Sequence, residues 1–383
     1  MSDSSVSLDD RLHWREAARD VVASDLEAMT GALADELAQM AGKRLLITGG
    51  AGFLGYYLVQ APLAWNGLDL GEPISVTLFD NYSRGVPGWL EVLAEDPNLD
   101  LHRHDVTTPL PVDMPDFDYI IHAASIASPT FYRQHPIETM DANVGGLRQL
   151  LDLSVEQRAG GSPVSGFLFF STSEIYGDPA PDAIPTVETY RGNVSCTGPR
   201  ACYDESKRYG ETLCVNFARH REVPVSIARP FNNYGPGLKL GDRRVLPDFA
   251  RDVLAGRDIV LLSDGSATRT FCYVADAVAG YYKVLVRGER GEAYNIGTDR
   301  PEISMLELAE RVAQQASALF GYQGKVVHAE SPDAEYLIDN PNRRCPVIDK
   351  AHSELDYAPA VSFDEGLEKS LRWYAGNRQD QEQ

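Results

Sequence analysis

The sequence predicts an α/β protein built on a doubly wound parallel sheet. Three observations carry that reading. Short apolar runs of strand length recur at 44–48, 74–79, 99–104, 119–124, 167–170 and 225–228, with helix-compatible stretches between them. Strands alternating with helices build parallel sheets covered on both faces. The first run leads through three glycines, Gly49, Gly52 and Gly55, straight into a helix-compatible stretch. Acids or hydroxyls stand where several runs end: Asp80 after the second, Asp105 after the third, and Ser171 to Glu174 after the fifth. Open parallel sheets place ligands at the C-terminal ends of their strands.

Composition bounds the function. The 383 residues carry a formal charge of −21, which argues against nucleic acid or an anionic membrane as the main partner. No apolar run approaches a membrane span. Five cysteines, without a Cys-x-x-Cys pair, give neither a disulfide framework nor a zinc site. They read as reduced thiols in a cytoplasmic protein. The eight histidines include no His-x-x-x-His pair, so no metal is expected.

Residues 1–41 stand apart as a helical extension. Val22, Leu26, Met29, Leu33, Leu37 and Met40 step by three and four, which makes one apolar stripe on a helix. The other face is rich in Asp and Glu. The stripe has two possible partners, the extension's own subunit or a second one.

Residues 42–230 read as a Rossmann-type nucleotide-binding unit. In GGAGFLG at 49–55 the backbone must turn tightly and approach a pyrophosphate at a helix N-terminus. Gly49, Gly52, Phe53, Leu54 and Gly55 are the expected cradle. Asp80, with Asn81 beside it, stands where an acid holds an adenosine ribose diol and repels a 2′-phosphate, which favours NAD over NADP. Arg84 lies close by and pulls the other way. Asp105 and Val106 stand where an adenine amino group is held. His122, inside the fourth run, reads as packed. The stretch 136–153 has helical periodicity and contains Asn143, which can bridge strands or order water.

Tyr203 and Lys207 are four apart on one helical face. An ammonium beside a phenol lowers its pKa, and a phenolate so tuned can take a proton from an alcohol. Thr172 can share that proton, and Glu174 is a second acid/base candidate. Downstream, Arg269 can grip a phosphate, with Arg243 a softer candidate.

With these motifs in place, the chain resembles the extended short-chain dehydrogenase/reductase family acting on nucleotide sugars, over about residues 43 to 377. GGAGFLG, FDNYSRG, HDV, HAAS, STSEIYGD, YDESK, RPFNNYGP and TRTFCYVADAV occur in the family's order. Within that family, GPRACYDESKR at 198–208 and STSEIYGDP at 171–179 are most similar to the UDP-glucuronate decarboxylases. Ile126, Pro230, the MDANV stretch at 140–144 and the N-terminal extension depart from that subgroup. Ser173 stands where sugar 4,6-dehydratases carry an Asp.

The resemblance implies NAD as cofactor, with Ala123, Ala124, Ser125, Asn143, Tyr203 and Lys207 lining its site. It implies Thr172, Glu174, Tyr203 and Lys207 as catalytic. It implies Ser128, Tyr132, Glu174, Asn232, Arg243, Arg269 and Arg344 as binding a UDP-sugar. Residues 231–383 would form mainly a smaller α/β substrate lobe. A homodimer is implied, formed through the helix after the fourth strand and the Tyr203 helix. The implied reaction is NAD-dependent conversion of UDP-glucuronate to UDP-xylose. A 4-epimerase or other epimerase or dehydratase of the same family is the alternative, and a non-catalytic NAD(H)-binding protein a remote one.

Overall fold

The computed structural model describes residues 8–331 and 338–378; the first seven residues of the expected extension lie outside that range. Six of the expected strands form, as β1 (Arg44–Thr48), β2 (Ser75–Asp80), β3 (Leu99–Arg103), β4 (Tyr119–His122), β5 (Gly166–Phe170) and β6 (Val225–Pro230). A seventh, β7 (Ala293–Ile296), comes from the C-terminal part of the chain. All seven are parallel, in the order 3-2-1-4-5-6-7. The strand order reverses between β1 and β4, which opens a crevice at their C-terminal ends.

The strands are apolar on both faces because both faces are covered. Leu45, Ile47, Leu168 and Phe170 join the core on one side, with helices Gly55–Asn66 and Val274–Arg287. Leu46, Phe167 and Phe169 join the core on the other, with Leu147, Leu150 and Leu151 of helix Leu147–Ala159 and Cys214 of helix Ala201–Arg221. The helical periodicity at 136–153 resolves into three pieces, a helix Pro136–Met140, a π-helical turn Asp141–Gly146, and the helix from Leu147.

The C-terminal part adds small sheets over the crevice. Thr268–Thr270 pairs with Glu302–Ser304 on one side and with Arg343–Arg344 on the other. That register sets Arg344 beside Arg269.

The N-terminal extension forms two helices, Leu8–Ala32 and Ala34–Gln39. The first packs along the C-terminal helix Phe363–Gly376 of the same chain, and Met29, Leu33, Leu37 and Met40 enter the core. The acidic face is not wholly exposed, as the pattern suggested. Asp25 and Glu36 are almost fully buried. The Asp25 carboxylate accepts from the Tyr57 hydroxyl (2.5 Å), the Tyr273 hydroxyl (2.6 Å) and Lys369 Nζ (2.9 Å). Glu36 pairs with Lys283 and Arg287. Polar partners from distant helices make these burials tolerable, and they fix where the extension sits. Asp25→Ala leaves an ammonium and two hydroxyls without their anion. It should cost about 3–5 kcal/mol of stability, read as a lower urea midpoint. An unchanged midpoint would show that this contact does not anchor the helix.

Candidate active site

The crevice is a cavity of about 1330 Å³, and every candidate site residue named above except Asn143 lines it. Asn143 is absent from that lining. It is fully buried in the π-helical turn behind the cavity, where its amide Nδ2 donates to Ser206 Oγ at 2.9 Å. It ties the turn to the Tyr203 helix.

The glycine turn has the shape a pyrophosphate needs. Gly49 has φ +75°, and a Cβ there would lie 2.5 Å from the Ala124 backbone. A Cβ on Gly55 would lie 1.9 Å from the Gly50 carbonyl oxygen. Neither position admits a side chain, and the open turn leads into helix Gly55–Asn66. Asp80 is fixed by two backbone donors, Ala51 N at 3.0 Å and Tyr82 N at 2.8 Å. Asp105 accepts from Asn81 Nδ2 at 3.0 Å and from Thr107. The glycine turn, Asp80 and Asp105 thus line one cavity, and together they fit a dinucleotide. His122 is packed as expected, buried and bonded through Nδ1 to Thr48 Oγ1 at 2.8 Å.

Tyr203 and Lys207 project from helix Ala201–Arg221, and both are buried. The Thr172 hydroxyl bonds the Tyr203 phenol. Tyr132 stacks on Tyr203, centroids 4.9 Å apart and planes 6° from parallel. The expected depression of the phenol pKa does not hold in this state. Burial pushes Tyr203 up to about 12, with the Glu174 charge adding to the rise. Lys207 does not offset this, since its Nζ donates to the Phe170 carbonyl at 2.8 Å and stands 5.8 Å from the tyrosine ring centre. Burial also lowers Lys207 itself to about 7.

Glu174 is the most constrained acid in the site. Arg344 forks onto it, Nη1 to Oε1 at 2.6 Å and Nη2 to Oε2 at 2.5 Å, and Arg200 Nη2 donates to Oε2 as well. Burial alone would raise its pKa. The charges of Arg200 and then Arg344 overcome that and hold it at about 2. Asp204, one residue after Tyr203, goes the other way, pushed up to about 8 by burial and by Glu174.

Arg200 was not singled out from the sequence. It lies three residues before Tyr203 within GPRACYDESKR, and its place at the start of the Tyr203 helix was the available signal. Beyond its contact with Glu174, its guanidinium lies over the Tyr132 ring at 5.9 Å.

The softer candidates are differently engaged. Arg269 is buried and donates to the carbonyls of Thr268, Pro341 and Asn342, so its guanidinium braces the 341–342 segment and adds its charge beside Glu174. Asn232 Nδ2 donates to the Thr270 carbonyl at 3.0 Å. Ser128 is buried and its hydroxyl donates to the Asp242 carbonyl at 2.7 Å. Arg243 is exposed, with φ +60°, whereas its neighbour Arg244 reaches the Ala127 carbonyl.

Comparisons with known proteins agree with this geometry. Residues 45–297 match the model of the NAD dependent epimerase/dehydratase family. The chain is 39% identical to UDP-glucuronic acid decarboxylase 6 of Arabidopsis thaliana, over 85% of this chain and 86% of that one. It is 36% identical to UDP-glucuronic acid decarboxylase 1 of Xenopus tropicalis, over 87% and 72%. Among solved structures, an epimerase from Methanothermobacter thermautotrophicus superposes with a TM-score of 0.75 at 28% identity, covering 91% of this chain and 97% of that one. A dTDP-glucose 4,6-dehydratase from Streptomyces venezuelae with NAD bound gives 0.75 at 27%, covering 88% and 98%.

Proposed function

Because the chain belongs to the NAD dependent epimerase/dehydratase family, we propose that it decarboxylates UDP-glucuronate to UDP-xylose through a 4-keto intermediate. The observation that carries this reading is the charge balance beside Tyr203. Two guanidiniums, Arg200 and Arg344, close on one ionised carboxylate, Glu174. Asp204 stays largely protonated at neutral pH, since its pKa is held at about 8. The buried surplus is positive, and a sugar carboxylate would neutralise it. A neutral hexose would leave it unmatched. The decarboxylase names of the relatives then select the reaction among those open to a uronate.

The glycine turn at 49–55 with Asp80 and Asp105 would hold NAD⁺, which when bound would supply a reversible hydride acceptor for carbon 4 of the sugar. The chain's own residues do the rest. Thr172 and Tyr203 hold the C4 hydroxyl; the positive nicotinamide ring bound beside Tyr203 would lower its pKa from about 12, and the phenolate would take the hydroxyl proton as hydride leaves. Lys207 contributes positive charge on the same helix face. The C4 ketone is β to the carboxylate, so carbon dioxide leaves with the electron pair passing to the ketone oxygen. Arg344 and Arg200 orient the departing group, the ionised Glu174 positions those two guanidiniums, and C5 of the enolate takes its proton from solvent. Tyr203 then returns its proton to O4. Residues 231–383 supply most of the substrate lobe, with Asn232, Arg243 and Arg269 on the diphosphate side and Ser128 and Tyr132 near the sugar.

No helix among the described residues is long and apolar enough to cross a membrane. Five free thiols suit a reducing cytoplasm. The proposed homodimer would use helix Pro136–Met140 with its continuation and the Tyr203 helix, where Ile137 and Tyr209 are 60% and 51% exposed. The test is incubation with UDP-glucuronate. Carbon dioxide and UDP-xylose are expected; UDP-galacturonate with all carbon retained would make the enzyme a 4-epimerase.

A further inference from the structure

Asp242 is an acid that the mechanism does not use, yet its side chain is only 5% exposed. It sits in the turn Leu240–Asp242 of the substrate lobe. Its carboxylate meets two guanidiniums. Oδ1 accepts from Arg84 Nη1 at 2.5 Å, and Oδ2 lies 3.0 Å from Arg244 Nε. Arg84 belongs to the opposite wall, in the loop that follows β2 and begins with Asn81, next to Asp80 at the strand's end. The two walls are joined at further points. Lys239 Nζ donates to the Arg84 carbonyl at 3.1 Å, and Ser128 Oγ donates to the Asp242 carbonyl at 2.7 Å. The Arg84 guanidinium also lies over the Phe131 ring at 4.9 Å. These residues line the same cavity as the glycine turn and the ribose acid.

We propose that the Arg84–Asp242 pair is a latch across the cofactor cleft, holding the substrate lobe against the ribose-binding loop so that the coenzyme stays bound through the catalytic cycle. Three physical points support it. The pair joins residues 158 apart in sequence, so it exists only when the two walls meet. Asp242 is buried while Arg84 is 47% exposed, which is the geometry of a closing contact whose outer half can release into water. Arg244 lies beside the carboxylate on Asp242's own side, and the Ser128 and Lys239 bonds back the pair from across the cleft, so Arg84–Asp242 is the charged member of a small set of closing contacts. The Arg84 guanidinium is committed to Asp242 and to the Phe131 ring. The same contact explains why an arginine so near the ribose acid need not serve a 2′-phosphate.

The need for a latch rests on the proposed function. A cycle with no net redox stores two electrons on the coenzyme between oxidation and return. A reduced coenzyme that leaves early strands a ketone. Arg84 and Asp242 are positioning residues in this account, since they act through closure of the cleft.

The test reads coenzyme release without any substrate. The full chain is loaded with NADH, and its dissociation is followed by fluorescence while excess NAD⁺ displaces it. Asp242→Asn and Arg84→Gln are each expected to release NADH about tenfold faster, as for loss of one charge-assisted hydrogen bond. The double variant should be no faster than the faster single one, because both remove the same contact. Arg84→Gln changes a half-exposed side chain and leaves the Asp242–Arg244 pair intact, so it keeps the test open if Asp242→Asn folds poorly. Release within about threefold of the wild type for Arg84→Gln overturns the latch. So does additive acceleration in the double variant, which would mean that the two residues act separately. Failure to release carbon dioxide from UDP-glucuronate would sink the proposed function and leave this result standing.

Discussion

Tyr203→Phe is expected to lower turnover of UDP-glucuronate by about a thousandfold while NAD binding stays within about twofold. The phenol bonds Thr172, and its ring is held by stacking on Tyr132 at 4.9 Å. Phenylalanine keeps that stack and removes only the proton carrier. A rate assay paired with a coenzyme titration checks both halves. Full activity in the variant would remove Tyr203 from the mechanism. Equal loss of activity and coenzyme binding would show that it serves to hold the cleft together.

Glu174→Gln carries the second large effect. The glutamine keeps the shape and removes the one anion on which two guanidiniums close. Turnover should fall about a hundredfold, and the fold should lose about 3–5 kcal/mol, because Arg200 and Arg344 are left buried without a partner. The pH dependence gives the sign check. Glu174 is held at about 2 against an ordinary 4.5. Its contribution is therefore complete above about 4.5 and disappears as pH falls towards 2. Denaturant midpoints of wild type and variant should differ most near neutrality and converge through that acid window. A constant gap down to pH 2 would mean that the glutamate's charge is not what stabilises the site.

The parts of the site that were legible in the sequence are those set by local backbone chemistry. Glycines at 49 and 55 are required by contacts of 2.5 and 1.9 Å that any side chain would violate, so their spacing carries the signal by itself. Asp80 follows from its place at the end of β2, and Tyr203 with Lys207 from helical spacing. What escaped was set by distant contacts. Arg200 reads as one more charge at a helix start until Glu174, 26 residues upstream, is seen against it. Asp25 looks like part of a solvated acidic face, and only the fold brings Tyr57, Tyr273 and Lys369 to it. The direction of the Tyr203 shift was missed for a related reason. Sequence spacing puts Lys207 on the right helical face but does not show that its ammonium is turned to the Phe170 carbonyl.

The account's central claim is that hydride leaves and returns at ring carbon 4, with carbon dioxide lost in between. UDP-glucuronate carrying deuterium at C4 and carbon-13 at C6 tests it in one NMR experiment. The account predicts labelled carbon dioxide or bicarbonate, together with UDP-xylose that keeps its deuterium at C4 in the original configuration. Carbon-13 retained in a sugar inverted at C4 would contradict it.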